Sequence, residues 1–258
     1  MTMLDGTHAL VTGGGTGIGL AIATALARAG AQVTITGRRA EVLQDAAEGL
    51  AAPVTGGLHP LVMDVTDEAQ VSDAIARATA ARGPLQICIP NAGIAEGRAI
   101  HKTDTDTWRR IMATNLDGAF WTIRESLASM RDADWGRVVA ISSIAGLKGL
   151  KGAAAYSASK HGLIGLIRGL SEDYMGSPLT FNAICPGYVD TEIVSRNADA
   201  ISARAGISAD AARDMMIAQN RHQRLIAPDE VAQAVLWLCG PGSGSVNGQC
   251  IEIAGGQV

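Results

Sequence analysis

Tyr156 and Lys160 stand four residues apart in a stretch of helical pattern, a spacing that puts both side chains on one face, one above the other. A free phenol has a pKa near ~10 and exchanges protons poorly at neutral pH unless a fixed cation stabilises the phenolate. Lys160 would supply that cation. Tyr156 would then protonate a developing alkoxide, or take the proton from a hydroxyl. Far upstream, Thr12-Gly13-Gly14-Gly15-Thr16-Gly17-Ile18-Gly19 follows an apolar run and leads into Leu20-Ala21-Ile22-Ala23. Glycines permit a tight turn and close backbone approach to a pyrophosphate, whose charge the first N–H groups of a helix would face. A merely flexible turn is the plain alternative, against which stand the strand before and the helix after.

These groups need elements to hold them. Apolar runs of strand length alternate with amphipathic stretches of helix length, the pattern of repeated βαβ units and a parallel sheet. Strands are predicted at His8 to Val11, Val33 to Thr36, Leu58 to Met63, Leu85 to Ile89, Arg137 to Ile141, Thr180 to Ile184 and Gln249 to Ile253. Helices are predicted near Gly19 to Ala29, Glu41 to Leu50, Glu68 to Ala81, Thr105 to Met130, Ala154 to Met175 and Asp229 to Leu238. The expected fold is α/β, a Rossmann-type doubly wound parallel sheet of seven strands with helices on both faces. Residues 1–258 read as one dinucleotide-binding and catalytic domain. Between about 189 and 227 the chain has no strand pattern where the sheet presents its C-terminal edge, so that segment is expected to cover the substrate.

The spacing Gly13-x3-Gly17-x-Gly19 resembles the variant used by the short-chain dehydrogenase/reductase family, in particular its 3-oxoacyl (acyl-carrier-protein or coenzyme A) reductases. Further landmarks follow in order over essentially the whole chain: Asp64-Val65, Asn91-Ala92-Gly93, Asn115, Ser143, Tyr156-x3-Lys160 and Pro186-Gly187. The resemblance implies that Ser143 orients the substrate oxygen toward Tyr156. It also implies that Asn115 interrupts its helix and holds a water linking Lys160 to solvent, which completes a catalytic set of Asn115, Ser143, Tyr156 and Lys160. For the cofactor it implies contacts from Gly13, Gly15, Thr16, Gly17, Ile18 and Gly19. Asp64 and Val65 would flank the adenine, Asn91, Ala92 and Gly93 would line the cleft beside Tyr156 and Lys160, and Pro186, Gly187, Val189 and Thr191 would hold the nicotinamide carboxamide. Pro90 departs from the family, which usually has an asparagine there. Proline lacks a backbone donor, so the local hydrogen bonding must differ.

At the end of the second predicted strand, a carboxylate would accept from a ribose 2′-hydroxyl and repel a 2′-phosphate. Here the chain reads Thr36-Gly37-Arg38-Arg39. Arg38 can pair with a phosphate, so NADP(H) is the expected cofactor, with NAD(H) and plain solvated arginines as the other readings. The expected activity is interconversion of a carbonyl and a secondary alcohol on a small or acyl-thioester substrate. An NAD-dependent hydroxyacyl or alcohol dehydrogenase is the second reading, and a non-catalytic dinucleotide-sensing module the third. Lys148 and Lys151 border the expected substrate and would meet a carboxylate or phosphate, unless they are ordinary solvated lysines.

Composition narrows the partners. Among 258 residues, 47% are hydrophobic and 31 are glycine, while aromatics make up only 3%, which suits strands buried under closely packed helices. A net charge of −4, from 21 basic and 25 acidic residues, gives no footprint for nucleic acid or an anionic membrane. Cys88, Cys185, Cys239 and Cys250 form no C-x-x-C pair, so no metal site or disulfide framework is expected. No secretory leader is recognised at the start, and a cytoplasmic protein is expected. The helices from Thr105 to Met130 and Ala154 to Met175, with the last strand, resemble those through which the family pairs subunits, which implies a homotetramer, or else a dimer.

Overall fold

The computed structural model describes residues 2–50 and 55–257. Its strands are β1 (His8–Thr12), β2 (Gln32–Gly37), β3 (Gly57–Val62), β4 (Ile87–Ile89), β5 (Gly136–Ile141), β6 (Leu179–Pro186) and β7 (Cys250–Ile253). They form one sheet in the order β3-β2-β1-β4-β5-β6-β7, parallel throughout. Parallel neighbours need long crossovers. The chain supplies α1 (Gly17–Arg28), α2 (Ala40–Glu48) and α3 (Glu68–Arg82) up to β4, then α4 (Thr105–Met112), α5 (Gly118–Met130) and α6 (Ala154–Asp173) up to β6. Three more, α7 (Glu192–Ala205), α8 (Ala209–Ile217) and α9 (Pro228–Leu238), precede β7. The seven-stranded doubly wound architecture expected from the alternation is the one observed.

Side chains alternate across the sheet and fill two cores. Ala9, Val11, Ile87 and Ile89 pack with Ile22 and Leu26 of α1 and Val231 and Val235 of α9. On the opposite face Leu10, Cys88 and Phe181 meet Val71 and Ile75 of α3, Ile123 of α5 and Leu163 of α6. Because both faces are covered, the central strands are apolar without a break, which is why they were legible as runs. Among the described residues no helix is long and apolar enough to cross a membrane.

Three elements differ from expectation. β4 begins at Ile87 rather than Leu85, because the Leu85 N–H donates to Ser129 Oγ instead of joining the ladder. The helix expected over Thr105 to Met130 is divided by a π turn, Ala113–Asp117. The segment without strand pattern is largely helical: α7 and α8 pack on each other through Val194, Ala198, Ala212 and Met216.

Strand order reverses at β1, between β2 on one side and β4 on the other, and there the C-terminal strand ends open a crevice. The residues singled out above gather at those ends.

Candidate active site

The glycine loop leaves β1 in left-handed conformations that side chains resist, with φ of 64° at Gly13 and 54° at Gly17. A Cβ at Gly13 would lie 3.0 Å from Asn91 Nδ2, and one at Gly17 would lie 3.2 Å from Thr191 Cγ2. The loop is therefore closed between the end of β4 and the segment after β6. Thr16, at the N-cap of α1, makes no side-chain cap, so its hydroxyl does not occupy the first-turn amides that an anion would use. Gly15 packs against Val42 of α2. A dinucleotide pyrophosphate fits such a cradle, since no side chain rises from the loop at its narrowest turns.

Thr12 ties the two halves of the crevice together. Its Oγ1 accepts from the backbone N–H groups of Asn91 and Ala92, both at 3.0 Å, and its carbonyl accepts from Asn91 Nδ2 at 2.8 Å. Pro90, which cannot donate, ends β4 and turns its carbonyl to the Ile141 N–H at 2.9 Å. The unusual proline thus leaves Asn91, Ala92 and Gly93 at the crevice.

At the far end of β2, Arg38 is exposed and, among the described residues, joins no ion pair. Asp64 closes a turn ahead of α3, with Oδ1 accepting from Thr66 N at 2.9 Å and Thr66 Oγ1 at 2.8 Å. Val65 is buried against Gly118, where a Cβ would lie 2.9 Å from Val65 Cβ.

Ser143, Tyr156, Lys160 and Asn115 meet at the C-terminal ends of β4 and β5. Lys160 Nζ lies 6.0 Å from the centre of the Tyr156 ring and donates to the Ile141 carbonyl at 2.8 Å. The two side chains share one face, as the spacing required. Burial holds the Lys160 ammonium down at a pKa of about 8, since a charge is costly where water is excluded. Burial raises the Tyr156 phenol above its ordinary value, and a hydrogen bond with Ser143 works against that rise. Ser143 caps a short turn at the end of β5, its Oγ accepting from Ala145 N at 3.1 Å.

Asn115 sits in the π turn and is 1% exposed. Its Oδ1 accepts from Ile94 N at 2.8 Å, and its Nδ2 donates to Ile94 O at 2.9 Å and Ser159 Oγ at 3.1 Å. A Cβ on Gly93 would lie 3.3 Å from Asn115 Oδ1 and 3.6 Å from Lys160 Nζ, so the asparagine and the lysine flank one glycine.

After β6, Gly187 N donates to Ile253 O at 3.0 Å, Val189 forms an isolated bridge with Ile226, and Thr191 stands at the N-cap position of α7 without a side-chain cap and reaches the glycine loop. Pro186, Gly187, Val189 and Thr191 thus run along the side of the crevice opposite Asn91. Lys148 does not face open space: its Nζ donates to the Gln257 carbonyl at 2.7 Å, tying the loop after Ser143 to the end of the chain. Leu147 packs into the core beneath it. Lys151 is exposed.

Sequence reasoning missed Tyr188 and Asn220. Tyr188 lies within electrostatic reach of the Tyr156 hydroxyl, and burial raises its own pKa. Its place after Pro186-Gly187 was a signal. Asn220, 0% exposed and bonded to the Tyr188 backbone, carried none.

Residues 7–202 match the family model for short chain dehydrogenase. An acetoacetyl-CoA reductase of Shinella zoogloeoides is 36% identical over 249 residues, covering 96% of this chain and 97% of that protein. A D-beta-hydroxybutyrate dehydrogenase of Cupriavidus necator is 33% identical over 263 residues, covering 99% of each. Among solved structures, an actinorhodin polyketide ketoreductase with NADPH superposes with a TM-score of 0.94 at 33% identity, over 100% of this chain and 99% of that one. The chain belongs to the short-chain dehydrogenase family. It is an oxidoreductase that works on a carbinol or carbonyl carbon with a nicotinamide dinucleotide.

Proposed function

We propose that this protein is an NADP(H)-dependent reductase of a 3-oxoacyl thioester or small ketone. The observation that carries the reading is the meeting of Tyr156, Lys160, Ser143 and Asn115 at the mouth of a glycine-loop crevice whose β2 end bears Arg38 and no acid. A nicotinamide held in this crevice would supply the hydride in reduction and accept it in oxidation. Ser143 Oγ donates to the substrate oxygen and fixes it beside the phenol. Tyr156 gives its proton to the alkoxide as negative charge develops, and the Lys160 ammonium stabilises the phenolate left behind. Asn115, bonded to Ser159 and beside Lys160, leads the returning proton inward from solvent through a water.

Arg38, free of carboxylate partners, holds the 2′-phosphate. Gly13, Gly15, Thr16, Gly17, Ile18 and Gly19 cradle the pyrophosphate, Asp64 and Val65 flank the adenine, and Asn91, Ala92 and Gly93 line the ribose side. Pro186, Gly187, Val189 and Thr191 hold the carboxamide. Residues 1–258 act as a single domain in which the helices between Val189 and Ala227 cover the substrate. The relatives named above favour an acyl thioester or a hydroxy acid. The hydroxybutyrate relative also favours the second reading, an NAD-dependent hydroxyacyl dehydrogenase.

The test is nicotinamide absorbance with each cofactor against acetoacetyl-CoA, 3-hydroxybutyrate and neutral ketones. Acetoacetyl-CoA with NADPH is expected to turn over fastest, and turnover with NADH alone would establish the second reading. Tyr156→Phe is expected to bind NADPH as the wild type does and to lose at least about 100-fold in kcat. Substantial retained activity would remove Tyr156 from its role.

A further inference from the structure

We infer that Asn220 is a positioning residue, whose carboxamide clamps the two stems of the α7–α8 excursion together and so holds Tyr188 in place where the chain leaves β6. Tyr188 lies on the outgoing stem, between β6 and α7, and Asn220 on the returning stem, three residues beyond α8. Asn220 Oδ1 accepts from Tyr188 N at 3.2 Å, while Nδ2 donates to Tyr188 O at 3.0 Å and to Arg224 O at 2.8 Å. One amide thus pairs with both backbone groups of a single residue, as a neighbouring strand would. Beside it the Ile226 N–H donates to the same Tyr188 carbonyl and Ile226 O accepts from Asp190 N, each at 2.9 Å.

Two further features accommodate this clamp. A Cβ at Gly187 would lie 2.8 Å from Asn220 Oδ1, so the glycine leaves the carboxamide room. Gln223 takes a left-handed φ of 58°, rare for a non-glycine residue, and so tightens the turn that brings Arg224 O back to Asn220. A second tie between stem and excursion, Arg213 to Asp190 at 2.9 Å, is exposed on both sides, whereas Asn220 is fully buried. Water competes for the first and not for the second. With the stems locked at this point, α7 and α8 can move over the substrate only beyond the clamp, and Tyr188 keeps its packing against the cluster of Val194, Ala198, Ala212 and Met216.

The inference rests on the proposed reductase activity for its main readout, and a second readout is independent of it. Asn220→Ala, Tyr188→Ala and the double variant are compared in NADPH-dependent reduction of acetoacetyl-CoA, with thermal unfolding measured alongside. Asn220→Ala is expected to lose about 10-fold in kcat/KM through misplacement of Tyr188, yet less than about two-fold when Tyr188 is already Ala. Asn220→Asp, which keeps the acceptor for Tyr188 N–H but turns an oxygen toward the Tyr188 and Arg224 carbonyls, is expected to lose at least as much, and Asn220→Ser serves if the alanine variant does not fold. Losses that multiply in the double variant, or that vanish once the fraction folded is restored by cooling, overturn the inference. If the wild type reduces none of the substrates, the proposed function fails on its own. Amide hydrogen exchange at 188–190 then decides the clamp: Asn220→Asp must speed it, and unchanged exchange overturns the inference.

Discussion

At the residue scale, the pH dependence of turnover belongs to Lys160. Burial disfavours its charged form, so the ammonium persists below a pKa of about 8 and is lost above it. The phenolate produced in reduction needs that cation. Reductive kcat/KM is therefore expected to hold toward neutral pH and to fall as pH rises through about 8, with no such fall on the acid side of that value. A flat profile across this range would show that the ammonium is not required. Arg38 acts by a different route, since it would touch only the 2′-phosphate. Arg38→Ala is expected to weaken NADPH binding by about 10-fold or more, a charge-assisted pair contributing roughly 1.5–3 kcal/mol, and to leave NADH binding nearly unchanged. Fluorescence titration with both nucleotides measures it, and equal losses would contradict the assignment. Lys148 is partly engaged already: the Gln257 carbonyl takes one of the three donors of its ammonium and leaves two for an anion.

At the element scale, the interrupted helix between β4 and β5 is the informative feature. A regular helix over Thr105 to Met130 would keep one phase of side chains along its whole length, whereas the π turn shifts that phase at Asn115. The π turn swings Asn115 inward, where its amide pairs with both backbone groups of Ile94 and with Ser159. Asn115→Ala would leave a buried N–H and C=O without partners, a cost of about 1–3 kcal/mol for each group that water cannot reach. The variant is expected to unfold at lower urea concentration, with an unfolding free energy lower by about 2–6 kcal/mol for the two groups together. It is also expected to lose activity beyond the fraction unfolded; a change in only one of the two would separate the structural role from the proton path. Asn220 repeats the device on the other wall of the crevice, again with one side-chain amide on both backbone groups of one residue.

At the scale of the molecule, the sheet is covered on both faces, but the outer surface of α4 and α5 is not. Trp108 is 39% exposed and Phe120 42% exposed, and they lie on the two halves of the Thr105 to Met130 stretch, one of the two expected to face another subunit. An apolar surface of this kind is what a two-fold interface between identical chains would cover. Phe120→Glu is expected to shift a homotetramer to smaller species in light scattering without lowering the helical content. A mass unaffected by the substitution would exclude this surface as an interface. The same scale explains why the crevice lies where it does: only at the reversal beside β1 do the loops after β1 and β4 diverge instead of packing side by side.

The amino-acid sequence by itself determined the layered α/β fold, because strands buried on both faces must be continuously apolar and parallel strands must alternate with helices. It also determined the Tyr156 and Lys160 pairing, which follows from helical periodicity alone, and the glycine loop, whose conformations few other residues adopt. Ser143 and Asn115 were legible only through resemblance, since strand-end serines and helical asparagines are common for other reasons. Tertiary structure alone decided Asn220, which meets Tyr188 across 32 residues of chain, and the engagement of Lys148 by Gln257 across 109. Periodicity fixes which face of an element is buried, whereas a hydrogen bond between distant segments depends on how the elements pack, and no local pattern encodes that.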